Sequence, residues 1–133
     1  MAYMIRLPAV ILMLAISACA QTDIQSMSAD TFKVATNAAP ACGASGARNV
    51  AFKTAAIEVI RKGGDKFIIV GDQSDTGLRG DVFSGFHQTY SQGMIVRMIP
   101  EGSPEARNAL SARATLGAVW QEIVAKGAPT TCG

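Results

Sequence analysis

The sequence is poor in the residues that carry most enzyme and metal chemistry. It holds one histidine and three cysteines, and only 17% of its residues are charged. So few soft or imidazole ligands argue against a zinc site, and neither a metal nor another cofactor is expected. The 12 basic and 10 acidic side chains nearly cancel and form no basic cluster, so nucleic acid is not an expected partner. The chain also lacks an apolar run of the roughly 20 residues that a bilayer-spanning helix needs.

What it has instead is a short apolar run at the N-terminus. Met1 to Arg6 carries one positive charge, Leu7 to Ile16 is continuously apolar, and small residues follow in "LAISACAQ". These are the three parts of an export signal. Two cleavage readings overlap at Cys19. Ile16-Ser17-Ala18-Cys19 is similar to the lipobox of bacterial lipoproteins, which implies that residues 1–18 are removed and that Cys19 carries diacylglycerol and an N-linked acyl chain such as palmitate. Ala18-Cys19-Ala20 instead fits ordinary secretion, with cleavage after Ala20 and a soluble product. The lipobox is the favoured reading. One acyl chain binds membranes only marginally, whereas two or more hold a protein stably. In such lipoproteins Asp after the cysteine goes with inner-membrane retention. Ala20 stands there, so the resemblance implies the outer membrane, with the domain facing the periplasm.

Cys42 and Cys132 are then a pair in an oxidising compartment, where a disulfide is expected. The remainder suffices for one domain. Residues 19–30 are polar and aperiodic, as in a lipidated tether. In the domain, residues 31–133, Thr31 to Thr36 alternates like a strand. Arg48 to Lys62 places Phe52, Ala55, Ala56, Val59 and Ile60 on one helical side, opposite Thr54, Glu58, Arg61 and Lys62. Lys66 to Gly71 and Gly93 to Ile99 are apolar strands. Ser103-Pro104 offers a helix start, and Leu110, Leu116, Trp120, Ile123 and Val124 suggest one long helix toward Lys126. The expected fold is α+β: a two-layer β-α-β-β-α sandwich, with two helices on one face of a three-stranded sheet. A β-α-β unit favours a parallel crossover, and the next strand returns antiparallel.

With these elements placed, the chain resembles a group of small uncharacterised lipoproteins of Gram-negative bacteria. The carrying residues are Cys19, "TFKVATN", "AFKTAAIEVIRKGGDKFIIV", "GMIVRMIPEG" and "ALSARATLG". The resemblance implies fold and location. It implies no activity, and the cysteine pair is not part of it.

Residues 72–92, bounded by Gly71 and Gly93, read as a long glycine-rich loop. Asp72 and Asp75 could act there as acid and base with His87, which would make a small periplasmic hydrolase. Ser84 lacks the strand–turn–helix setting of a nucleophile elbow, and Arg79-Gly80-Asp81 is too short a match to an integrin-binding sequence to carry meaning. A non-enzymatic binding module is the preferred reading. Two helices cover only one side of the expected sheet, with Met94, Val96 and Met98 beneath them. The other side would expose Ile95, Arg97 and Ile99 as a candidate binding surface for an envelope protein or peptidoglycan.

Overall fold

The computed structural model describes residues 19–83 and 85–132, apart from the side chains of Arg79 and His87. The expected signal peptide, residues 1–18, lies outside the described residues. The elements are β1 (Ala20–Ser26), β2 (Thr31–Ala38), α1 (Gly43–Arg61), β3 (Lys66–Asp81), β4 (Gly85–Met98), β5 (Leu110–Ser111), α2 (Ala112–Leu116) and α3 (Trp120–Lys126). The fold is α+β. Its sheet has five strands in the order β1-β2-β4-β3-β5, and every neighbouring pair is antiparallel.

The expected crossover is present in a split form. β2 and β3 are both antiparallel to β4, so they run the same way, and β4 lies between them. β1 and β5 raise the expected three strands to five, and a segment expected as a loop lengthens two of them. The segment expected as a tether contains β1, which pairs along all of β2 from Ala20↔Ala38 to Ser26↔Phe32. The segment expected as a loop at 72–92 is the extended half of a β3–β4 hairpin, paired as far as Asp81↔Gly85. A β-bulge between Ile69 and Gly71 resets its register.

α1 lies on one face of the sheet. The main core joins Phe32, Val34, Phe67, Met94 and Val96 from the strands to Ala51, Ala55, Ala56 and Val59 from α1. Alanines on the helix allow a close approach to the large strand side chains. α1 is buried more widely than one stripe, because α2 and α3 also pack against it. Thr54, expected on the wet side, is buried, and its hydroxyl donates to the Val50 carbonyl at 2.8 Å.

The expected long C-terminal helix is broken. Ser103-Pro104 starts only a short 3-10 turn over Pro104–Arg107. Leu110 and Ser111 then join the edge of β3, and the helix restarts behind Ser111, whose Oγ accepts from Ala114 N at 3.2 Å. Gly117, at φ +89°, ends α2 in a conformation that favours glycine. After α3 the chain returns toward the N-terminal end of α1. There Cys132 is disulfide-bonded to Cys42, with Cα atoms 5.7 Å apart and a sequence separation of 90. Ala20 N donates to Thr130 O at 2.8 Å beside it.

Two stability outcomes follow. Replacing Cys42 and Cys132 together by alanine lowers stability by about 2–4 kcal/mol in chemical denaturation, because the bridge closes a very long loop of the unfolded chain. The second concerns Asp65, which binds α2 to the start of β3. Its carboxylate accepts from Ser111 Oγ and, at 2.9 Å, from Arg113 N, while its carbonyl accepts from Ala112 N at 2.8 Å. Burial raises its pKa, but the Arg113 amide and the Ser111 hydroxyl together outweigh this and hold it below the ordinary value. A depressed carboxylate stabilises fully above its unfolded value of about 3.9, and that contribution is lost as pH falls through the lower folded value. Asp65→Ala therefore costs about 1 kcal/mol at neutral pH. Thermal melts of wild type and variant should converge once the pH falls below the lowered folded value.

Candidate functional site

Two faces of the sheet meet different surroundings. The helix-facing side is apolar under the middle of α1 and polar toward its N-terminal end. There one row crosses the sheet: Thr22 on β1, Thr36 on β2, Gln92 on β4 and Ser74 on β3. The Thr22 and Thr36 hydroxyls are 3.0 Å apart, and Ser74 Oγ donates to Gln92 Oε1. Gln92 is buried; its amide also donates to Asp72, which forms an ion pair with Arg48 of α1. Among the described residues no buried side-chain nitrogen or oxygen lacks a partner. This row is therefore a satisfied structural network.

That network bears directly on the candidate acid and base. Asp72 pairs with Met94 on the helix-facing side, whereas Asp75 pairs with Ser91 on the opposite side. Paired residues share a face. The two carboxylates thus point to opposite faces of β3 and do not converge on one substrate, and Asp72 is already held by Arg48 and Gln92. Ser84 and the side chain of His87 lie outside the described residues. Arg79-Gly80-Asp81 sits in the paired hairpin rather than in a loop.

No helix covers the opposite face among the described residues. Its central positions are Lys33, Ala35 and Asn37 on β2, Ser91, Gly93, Ile95 and Arg97 on β4, and Ile68, Gly71, Gln73 and Asp75 on β3. Gly71 and Gly93 leave a shallow trough of about 330 Å³ between Lys33, Gln73 and Ile95. Gly71 is small because it must be: a Cβ there would come within 3.2 Å of Ile95 Cδ1. A Cβ on Gly93 would find its nearest neighbour, Lys33 Cε, at 3.7 Å, so that glycine leaves room. A second hollow continues toward Asn37 and Ser91, whose hydroxyl donates to Asn37 Oδ1 at 2.8 Å.

The structure brings two of the three expected surface residues together. Ile95 and Arg97 lie on the open face, both half-buried, and Arg97 donates to Glu105 at 2.9 Å. Ile99 does not belong there. It lies beyond the end of β4, where strand alternation no longer applies, and it is only 4% exposed. The face is therefore more polar than expected, with Ile68 and Ile95 as its apolar spot. Sequence reasoning missed Lys33, Gln73, Asn37 and Ser91, because two of these four fall in the segment taken for a loop.

Cys19 stands at the start of β1, exposed and outside the disulfide. Its carbonyl accepts from Ala39 N at 2.9 Å, and it bridges to Thr131. No helix among the described residues is long and apolar enough to cross a membrane. Neither a known family, nor a curated protein, nor a solved structure matches the chain.

The open face predicts an unequal response on β4. Ile95→Asp should cost only about 1–2 kcal/mol, since the side chain is only partly buried and reaches water on the open face. Val96→Asp, one residue on and fully buried, buries an unpaired charge and should unfold the domain. Denaturant titration of the two variants checks the assignment of faces.

Proposed function

We propose that this chain is a lipid-anchored module of the outer membrane, facing the periplasm, that acts by binding another envelope component rather than by catalysis. The place of Cys19 and Ala20 in the fold carries the anchor reading. Cleavage before Cys19 keeps every contact made among the described residues. Cleavage after Ala20 would delete a side chain that is 5% exposed, its N–H bond to Thr130, and the Cys19 carbonyl that receives Ala39 N. The fold thus favours the lipobox reading over ordinary secretion. The exposure of Cys19, which lies outside the disulfide, supports the same reading.

The binding half of the reading is supported by the open face. Its amide, hydroxyl and single lysine groups around Gly71 and Gly93 offer donors and acceptors to a peptide or glycan, and Ile95 offers a small apolar contact. The opposed directions of Asp72 and Asp75 count against a hydrolase in the hairpin. The partner class that fits is an envelope protein or peptidoglycan.

Mass spectrometry of the mature N-terminus decides the anchor: Cys19 should carry a diacylglyceryl thioether and an amide-linked acyl chain. Cys19→Ser should remove both and abolish recovery in the outer-membrane fraction. A wild-type chain starting at Gln21 would overturn the reading.

A further inference from the structure

The β3–β4 hairpin outruns the rest of the sheet. β1 and β2 stop at the row Ala20, Ala38, Tyr90 and Thr76, while β3 and β4 stay paired from Gly77↔Thr89 to Asp81↔Gly85. At about 3.4 Å per residue, this arm carries its turn roughly 15–20 Å past that row. The turn and one side of the arm are apolar and wet: Phe83 is 96% exposed, Val82 81%, Leu78 67% and Phe86 60%. Leu78 and Phe86 share a side, because Leu78↔Gln88 and Gly80↔Phe86 are alternate pairs of one ladder. The other side carries Gly77, Thr89, Asp81 and Gly85. Gly80, at φ +132°, brings the strands so close that a Cβ would meet Gly85 O at 2.0 Å. The arm is an amphipathic hairpin with an aromatic turn, and its exposed apolar groups call for a cover.

The position of Cys19 in the fold points to the cover. Cys19 precedes Ala20, so it lies at the same end of the sheet from which the arm projects. With Thr89 at the arm's root it lines one cavity of about 360 Å³. Acyl chains on Cys19 therefore enter a bilayer on the arm's side of the domain. We propose that Leu78, Val82, Phe83 and Phe86 insert into the membrane leaflet that holds the Cys19 lipid. This rests on the lipid-anchor reading above. The headgroup layer is about 5–8 Å thick on each side of the hydrocarbon. An arm of this reach takes Val82 and Phe83 through it, with Leu78 and Phe86 following at the depth of the headgroups. The domain is then held at two points, and its orientation to the membrane is fixed.

The test uses the full chain, exported and processed in a Gram-negative host, then placed in vesicles of phosphatidylethanolamine and phosphatidylglycerol. Trp120→Phe removes the native tryptophan, and Phe83→Trp puts a reporter at the turn. Its emission should shift to the blue in vesicles and be quenched when the acyl chains are brominated. A Glu101→Trp reporter, beyond the opposite end of β4, should show neither change. Acylated protein with an unquenched reporter at position 83 overturns the arm proposal and leaves the anchor standing. An unquenched reporter in a concentration-dependent dimer assigns the turn to a second copy and also overturns it. A mature chain without acyl groups removes the anchor and the arm proposal together.

Discussion

The domain depends on β4 lying between β2 and β3. Those two strands run the same way and are joined by α1, so without β4 they would have to pair in parallel across the space it fills. With β4 in place, both of its edges are hydrogen-bonded and its helix-facing residues Met94 and Val96 become the centre of the core. α1 can then rest on three strands at once through its alanines. The cost of this arrangement is order of assembly. β2 has no central partner until the chain has passed through α1, β3 and the hairpin, so its pairing is non-local and its stability is borrowed from elements made later.

Where the sequence could be read, it was because one side of an element faced the core. Thr31 to Thr36, Lys66 to Gly71 and Gly93 to Ile99 all carry large apolar residues, and each lies in a strand except for Ile99, just past the end of β4. β1 and the outer half of the β3–β4 hairpin could not be read in this way. β1 is an edge strand whose single buried residue is Ala20. The hairpin arm extends past β1 and β2 and has no core to face, so neither of its sides shows the alternation that betrays a strand. Its glycines and aspartates then look like loop residues. The long C-terminal helix failed for a different reason. Its apolar spacing is real, but Ser111 as a cap and Gly117 as a stop outweigh it. The open face was legible in part: Ile95 and Arg97 follow from alternation, while Ile99 shows that alternation ends with the strand.

Ala20 is constrained by packing, because it lies against Ala38, Ala47 and Val50. A carboxylate in that place would be buried against alanines without a donor other than backbone. Packing alone therefore accounts for a small apolar residue at this position.

The same small cluster explains where the disulfide sits. The polar row of Thr22, Thr36, Gln92 and Ser74 divides the helix-facing side into two apolar regions. The larger is built from phenylalanine, methionine and branched side chains. The smaller holds three alanines and a valine, with Tyr90, Cys42 and Cys132 packed against it. At roughly 25 cal/mol per Å² of buried apolar surface, so few carbons stabilise little. The covalent bond stands where apolar burial is thinnest, and it fixes the C-terminal tail that in turn pins Cys19 and Ala20.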